Sequence, residues 1–261
     1  MTVPFGTDVT NLVATFTSTG VNVKVGAAVQ TSTATANNFS SPVTYTVTAA
    51  DTSTVDYIVT VAGLNLRRTA SFAVLAGSSI TNAGVTTVTG DVGATGVTGA
   101  APAVTGNYYT TGSTAYANAI ADLPLVISDA NNTGYFPCGA SISGAIGTQS
   151  MAPGVYCITS DAAITGVVNL TLNAAGVYIF RTIGALTPAA TSTVVFGGTA
   201  TDANSSVFWV VGSASLGTPA VWMGTILSGG AITLGNNDTL VKGRVLSSAA
   251  VTLSNNTITI P

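Results

Sequence analysis

The first part of the chain alternates hydrophobic and polar residues with a period of two. The alternation is clear at 21–25 (VNVKV), 43–48 (VTYTVT) and 57–61 (YIVTV). Such a pattern predicts short β-strands, of which the last two form a hairpin whose loop carries Asp51 and Asp56. We therefore expect a small β-sandwich over residues 1–63.

From residue 72 onward a different pattern begins, and it repeats. The string FAVLAGSSIT at 72–81 matches GTILSGGAIT at 224–233 and GRVLSSAAVT at 243–252, with weaker copies at 155–165, 177–187 and 207–217. Each copy is an apolar strand, a break of Gly, Ser or Ala, and a second short strand around one aliphatic residue. These aliphatic anchors are Ile80, Ile164, Leu186, Leu216, Ile232 and Val251. A repeat near twenty residues indicates a solenoid, and its uneven spacing predicts an irregular β-helix over 64–261.

One stretch has helical periodicity instead. Its apolar residues are Tyr116, Ala119, Ile120, Leu123, Val126, Ile127 and Ala130. This spacing predicts a helix over 113–131 that begins at Ser113, ends before Gly134 and packs on one side of the solenoid. Pro124 is expected to kink or divide it. The segment 135–153 is expected to be a loop or a cap over an open end of the solenoid.

The composition excludes several functions. Charged residues are only 6% of the chain, against about a quarter in ordinary globular proteins. The net charge of −3 argues against nucleic-acid binding. With no His, the chain lacks the usual general base and the commonest metal ligand. We therefore expect no catalytic residue, no metal and no cofactor, and no apolar run is long enough for a membrane span.

The remaining charged residues do not assemble into a reactive site. Asp91, Asp161 and Asp202 are isolated in sequence, so Asp91 is expected to cap a turn rather than bind calcium. A polysaccharide-cleaving β-helix would need two facing carboxylates, which the scattered acids do not supply. The adjacent Arg67 and Arg68 are interpreted as a solvated linker, with an interdomain contact or a lipid-facing pair as alternatives.

The two cysteines, Cys138 and Cys157, favour a disulfide over two buried free thiols, because the composition is typical of exported proteins. The start of the chain is not a signal peptide, so any export signal is expected to have been removed. We expect a monomer that is secreted or attached to the cell surface.

Three segments carry a resemblance to a known family. They are ASFAVLAGSSITNAGVTTVTGDVGATG at 70–96, APGVYCITSDAAIT at 152–165 and the long run at 207–253. Together they resemble the large microbial ice-binding protein family over about residues 64–261. The resemblance implies a secreted, right-handed β-helix of triangular section with one flanking helix, which adsorbs to ice, inhibits its growth and recrystallisation, and has no enzymatic activity. The string PVTYTVTAADTSTVDYIVTV at 42–61 resembles bacterial immunoglobulin-like modules, which are usually spacers or attachment points.

A flat, uncharged and repetitive surface suits an ice crystal as the ligand. Solenoid strands stack about 4.7 Å apart and alternate residues of a strand lie about 6.7 Å apart, both close to lattice repeats of ice. If the anchors point inward, their neighbours point outward. This gives the predicted ice-binding set: Ser79, Thr81, Ala163, Thr165, Ala185, Thr187, Ser215, Gly217, Ala231, Thr233, Ala250 and Thr252.

Two alternatives stay open at this point. The set could be ordinary outward positions that are small only because strands pack closely, and a second face from Thr87, Thr89, Thr171, Thr225 and Thr257 competes with it. The chain could also be an extracellular adhesin or structural solenoid without ice affinity, or, third, a polysaccharide-active enzyme. A thermal hysteresis assay separates ice binding from both of these.

Overall fold

The computed structural model describes residues 1, 3, 7–61, 63–158, 163–201 and 203–261. The chain divides into two compact units, Met1–Gly63 and Leu64–Pro261. The division falls where the strand alternation of the first segment gives way to the repeats of the second.

In the first unit the described residues form six short strands: β1 Leu12–Val13, β2 Asn22–Val25, β3 Ala28–Val29, β4 Ala36–Asn37, β5 Val43–Thr48 and β6 Thr54–Val59. They form a four-stranded antiparallel sheet in the order β3-β2-β5-β6 and a two-stranded sheet β1-β4. The core contains Val23, Phe39, Val43 and Tyr45.

The predicted hairpin of the first unit is confirmed, with one correction. β5 and β6 pair along their whole length, and Asp51 lies in the turn, where its carboxylate accepts the Ser53 N–H at 3.0 Å. Asp56 lies in β6 rather than in the loop, and it accepts the Thr46 hydroxyl at 2.6 Å. A β-hairpin can carry an acid inside a strand because the outer face of the sheet is solvated.

Among its described residues, the second unit contains one α-helix, one 3-10 turn and the remaining strands. The first part comprises β7 Phe72–Ala76, β8 Ile80–Ala83, β9 Thr87–Thr89, β10 Asp91–Gly93, β11 Val97–Gly99, β12 Ala103–Val104, β13 Tyr108–Tyr109, α1 Thr114–Asn131, β14 Ala140–Ser141, β15 Ala145–Met151, β16 Gly154–Cys157 and β17 Ile164–Leu172. The second part comprises β18 Gly176–Arg181, β19 Ala185–Pro188, β20 Thr193–Phe196, β21 Ser205–Val211, β22 Ser213–Ser215, β23 Val221–Met223, β24 Thr225–Ser228, β25 Ile232–Thr233, β26 Thr239–Val241, β27 Val245–Ser247, β28 Val251–Ser254 and β29 Thr257–Thr259.

These strands form a parallel β-solenoid with three faces. The first face is a nine-stranded sheet in the order β13-β10-β7-β27-β24-β21-β18-β16-β14. The second face runs β11-β8-β28-β25-β22-β19 to the start of β17, and the third runs from the rest of β17 through β20-β23-β26-β29-β9-β12. β17 joins the second and third faces because it turns the corner at Gly166, whose φ of 74° suits glycine. The predicted β-helix is therefore confirmed.

The coils do not stack in chain order. The last coil, β27 to β29, lies between the first coil, β7 to β9, and the coil of β24 to β26. The first two coils of the chain thus lie at one end of the stack, and α1 connects them to the opposite end. The following coils then stack one after another back towards the first coil. This order brings together residues that are far apart in sequence, such as Val85, whose N–H donates to Asn255 Oδ1 at 2.8 Å.

A ladder of aromatic rings fills the solenoid core. Ring centroids are 5.3 Å apart for Tyr156 and Phe180, 4.2 Å for Phe180 and Trp209, and 4.7 Å for Trp209 and Trp222. Both tryptophans of the chain, Trp209 and Trp222, are fully buried in this ladder. Their fluorescence therefore reports on the solenoid unit.

Helix α1 covers the first face, as its apolar stripe predicts. Ser113 caps it by accepting the Tyr116 N–H, and Tyr116 donates its hydroxyl to Ala76 O of β7 at 2.9 Å. Because the core lies on one side of this sheet and the helix on the other, every residue of β7 is buried. Pro124 does not divide the helix. It lies on the exposed side of the helix.

The interpretation of Arg67 and Arg68 as a solvated linker is wrong, because both side chains pair with acids of α1. Both arginines belong to a 3-10 turn, Arg67–Thr69, that is held against α1. Arg67 pairs with Asp129 at 2.8 Å, and Arg68 donates from Nε and Nη2 to the two carboxylate oxygens of Asp122 at 2.7 and 2.8 Å. Their acidic partners are more than fifty residues away, so sequence proximity could not reveal them.

The Asp122 ion pair predicts a loss of stability in acid. The hydrogen bonds from Arg68 lower the pKa of Asp122 to about 2, below its value near 3.9 in an unfolded chain. Its contribution to stability is therefore present above about pH 4 and is lost as the pH falls through about 2. Urea unfolding followed by tryptophan fluorescence between pH 6 and pH 2 should show this loss, and Asp122→Asn should lack that part of the pH dependence. An identical pH profile for the two proteins would contradict it.

The segment 135–153 is not simply a loop, because it contains two strands that lie at one end of the solenoid. β14 and β15 form the outermost coil, which pairs with β16 and β17 and continues the solenoid. The sequence did not predict these strands, because the small residues of the segment give no strong alternation of hydrophobic and polar positions. The predicted disulfide between Cys138 and Cys157 is present and ties the approach to this coil to β16.

Candidate functional site

A column of hydroxyl side chains runs along the second face. The inward-facing residues that define its register are Val97, Ile80, Val251, Ile232, Ala214, Leu186 and Ile164. The next residue of each strand points outward, and together these residues form what we call the threonine column: Thr98, Thr81, Thr252, Thr233, Ser215, Thr187 and Thr165. Adjacent members are thus paired neighbours in parallel strands, about 4.8 Å apart.

A second column lies on the other side of the anchors. It consists of the outward residue that precedes each inward one, and we call it the small-residue column: Gly96, Ser79, Ala250, Ala231, Ser213, Ala185 and Ala163. Its backbone carbonyls accept from the neighbouring coil, as when the Val251 N–H donates to Ser79 O and the Ile232 N–H donates to Ala250 O, both at 3.1 Å. The two columns together make a panel two side chains wide, which we call the Thr/small panel.

The structure changes the predicted ice-binding set in two places. Gly96 and Thr98 join it, because Val97 of β11 pairs with the inward Ile80 of β8. In the coil of β21 to β23 the inward anchor in register is Ala214, not Leu216, so Ser215 belongs to the threonine column and Gly217 lies outside the panel. The corner between β21 and β22 is one residue shorter than the corresponding corner between β24 and β25. This follows from the register, because Val211 pairs with Ser228 and Ala214 pairs with Ile232. Sequence reasoning missed Ser213 because an alanine is a weak marker of an inward position.

The Thr/small panel is suited to ordering water rather than to binding a charged or apolar ligand. No member is charged, and Thr81, Thr165 and Thr252 are exposed. Among the residues that the structure describes, Thr187 is the member of the threonine column whose hydroxyl donates to the protein, to Ile164 O at 3.4 Å. The other hydroxyls are therefore available to water. Threonine is also stiff at χ1, so little side-chain entropy is lost when water orders on it.

The corner beside the threonine column is held in register by asparagines. Asn255 donates from Nδ2 to Asn236 Oδ1 at 2.7 Å, and Asn256 donates to Gly235 O at 2.6 Å. At the same corner the buried carboxylate of Asp238 accepts the Ala220 and Gly235 N–H groups at 2.8 and 2.6 Å. Burial raises the pKa of Asp238. These bonds tie successive coils together, so they keep the edge of the panel straight.

The third face is a less uniform surface. Its outward residues include threonines of the competing set, Thr87, Thr89, Thr171 and Thr257, but also Val195, Val221, Met223 and Val241. Val195 and Val221 are exposed. Thr225 does not belong to this face, because it lies in β24 on the first face and is only 3% exposed. A mixture of threonine and larger aliphatic side chains gives less regular positions for water than the panel.

The acids do not converge in the described part of the chain. Asp91 accepts the Asn107 N–H at 2.9 Å and so ties two coils together, whereas Asp161 and Asp202 lie outside the described residues. Within the described ranges, no three His, Cys, Asp or Glu residues come close enough to share a metal ion. Among the same residues, no helix has the length and hydropathy of a membrane span.

Comparison with known proteins gives a consistent result. The ice-binding-like family model matches residues 74–259, and a model described as SGBP, N-terminal, matches residues 1–61. An ice-binding protein of Colwellia sp is 34% identical over 217 residues, which cover 76% of this chain and 84% of the relative. One from Flavobacterium frigoris is 30% identical, with 76% of each chain covered.

Solved structures are similar over the same part of the chain. The crystal structure of an ice-binding protein from an Antarctic biological consortium superposes with a TM-score of 0.68 at 30% identity, covering 76% of this chain and 91% of that one. The ice-binding protein of the Antarctic ascomycete Antarctomyces psychrotrophicus gives the same TM-score and identity, with 77% and 99% covered.

Proposed function

Because this chain belongs to the ice-binding-like family, we propose that it adsorbs to ice crystals and inhibits their growth and recrystallisation through the Thr/small panel of its second face. The observation that carries this proposal is the register of the threonine column. Hydroxyl groups from coil after coil lie in line on one uncharged face, although the coils come from distant parts of the sequence.

The physical argument concerns the kind of ligand that such a surface fits. The threonine column extends about 30 Å at the spacing of parallel strands, and its hydroxyls can hold a row of water molecules at nearly constant spacing. The small-residue column leaves the adjacent water in contact with methyl groups, where it is caged rather than strongly oriented. Each interaction is weak, so adsorption depends on many of them acting together on one rigid plane.

The mechanism requires no chemical step. A molecule that is held on a crystal plane blocks the addition of water beneath it, so ice can advance only between the bound molecules as curved fronts. Curvature raises the free energy of the advancing surface and lowers the temperature at which it grows. We therefore propose a binding protein without catalytic residues, metal or cofactor.

We further propose that the chain acts outside the cell as a monomer, with residues 1–63 as a spacer or point of attachment. The disulfide supports a place outside the cell, because disulfides form and persist in oxidising compartments. The match of residues 1–61 to a different family model supports a separate role for the first unit. An adhesin or structural solenoid without ice affinity is the alternative that the following experiment tests.

The decisive experiment grows a single ice crystal hemisphere in a dilute solution of the fluorescently labelled full chain. We expect fluorescent patches on defined planes of the ice, together with a measurable thermal hysteresis and the retention of small crystals in a recrystallisation assay. A labelled protein of similar mass that does not bind ice is the control. Rejection of this chain into the remaining liquid, with crystals that grow unshaped, would exclude the proposed function.

A further inference from the structure

The charge of Arg181 is buried beside both sulfur atoms of the disulfide. Arg181 is the last residue of β18 and is 7% exposed. Its Nη2 atom lies 3.1 Å from Cys138 Sγ and 3.2 Å from Cys157 Sγ. The contact with Cys157 follows from the pairing of β18 with β16 in the first face, where Arg181 and Cys157 are paired residues.

The other partners of this guanidinium are neutral. Nη1 donates to Ala130 O in the last turn of α1 at 3.1 Å, and Nη2 donates to Phe136 O at 3.0 Å. In the described part of the chain no carboxylate pairs with Arg181, and the nearest acid along α1, Asp129, pairs with Arg67. Burial lowers the pKa of Arg181, because desolvation disfavours its charged form.

A thiolate would supply the missing negative charge. A cation close to a cysteine lowers the pKa of the thiol and so stabilises the reduced form of a disulfide. The two cysteines also differ in access, because Cys138 is exposed whereas Cys157 is only 5% exposed. An incoming thiol can therefore reach Cys138, while the sulfur that leaves is the one held against β18.

We propose that Cys138–Cys157 is a site of thiol–disulfide exchange with small thiols, in which Arg181 stabilises the Cys157 thiolate. The incoming thiolate attacks Cys138 Sγ, the bond between the two cysteines breaks, and its electron pair stays on Cys157 Sγ. A second small thiolate then attacks the mixed disulfide and releases Cys138. The net reaction oxidises two small thiols to their disulfide and reduces the bridge, and the oxidised small molecule reverses it.

The test measures the equilibrium between the native full chain and buffers of reduced and oxidised glutathione at pH 7, with alkylation and mass spectrometry to count free thiols. Arg181→Gln should make the bridge at least tenfold harder to reduce, about 30 mV in reduction potential. Arg181→Lys, which keeps the cation, should restore most of the wild-type equilibrium. The matched control is Arg244→Gln, at a second buried arginine that donates to Ala70 O and should leave the equilibrium unchanged.

A second measurement tests the stabilisation of the Cys157 thiolate even if Arg181→Gln fails to fold. The alkylation rate of the reduced wild-type chain, followed against pH for each cysteine by mass spectrometry, should show Cys157 titrating well below the ordinary value of about 8.5 for a thiol. Ordinary values for both cysteines, or equal equilibrium constants for wild type and a folded Arg181→Gln, would overturn the proposal. Either result leaves the proposed ice binding untouched, since the exchange site lies on the first face.

Discussion

Replacing Thr233 by tyrosine should remove most of the thermal hysteresis of this protein while leaving its stability nearly unchanged. Thr233 lies near the middle of the threonine column, between Thr252 and Ser215. A tyrosine ring there would stand several ångströms above its neighbours and hold the whole panel away from the crystal plane. Because adsorption is the sum of many weak contacts on one plane, one protruding side chain disrupts many of them.

The matched control is Thr239→Tyr. Thr239 belongs to the same coil and is also partly buried, but it lies on the third face between Thr257 and Val221. Surface substitutions of this kind change the free energy of unfolding by about 0.5 kcal/mol or less, so both variants should unfold close to wild type. Hysteresis measured at equal protein concentration should be lost in Thr233→Tyr and kept in Thr239→Tyr. The reverse pattern would assign ice binding to the third face.

Replacing Leu246 by alanine should produce the largest loss of stability among the variants considered. Leu246 is fully buried in β27, where it pairs with Leu75 of β7 on one side and Leu227 of β24 on the other. Truncating a buried leucine costs about 2–5 kcal/mol through lost transfer free energy and the cavity that remains. Since β27 belongs to the coil that joins the first coil to the rest of the stack, the whole solenoid should become less stable.

The control for this variant is Leu125→Ala on the outer side of α1. Leu125 is 49% exposed, so the same change of side chain should cost far less there. Urea unfolding monitored by Trp209 and Trp222 compares the two variants directly. A similar shift for both would mean that the last coil does not close the solenoid in solution. A folded Leu246→Ala protein should still shape ice at low temperature, because its panel is unchanged.

Much of the local structure was predictable because it depends on neighbouring residues. The helix needs only its apolar stripe and the Ser113 cap, and the observed helix Thr114–Asn131 begins where they indicate. The repeats of an aliphatic anchor beside a threonine identified every member of the threonine column that lies next to Ile80, Ile164, Leu186, Ile232 or Val251. In these coils the anchor is a large side chain, so the inward position is unambiguous.

The errors arose where sequence pattern is weak or where contacts are remote. Ser213 was missed because its anchor is an alanine and the preceding corner is one residue shorter. The strands of 140–151 were missed because small residues pack into an end coil without marking a face. Arg67 and Arg68 were misinterpreted because Asp122 and Asp129 are close to them only after the helix has docked on the sheet.

The amino-acid sequence by itself determined the solenoid, its flanking helix, the low charge of its surface and the kind of side chain on the candidate face, since each follows from local periodicity and composition. Only the tertiary structure decided the order of the coils, and with it the continuity of the threonine column. Thr252 near the end of the chain lies beside Thr81 near the start of the solenoid because β28 pairs with β8. The register of such a pair of strands is set by hydrogen bonds between distant residues and by the packing of the whole core. The sequence of either strand alone therefore does not predict it.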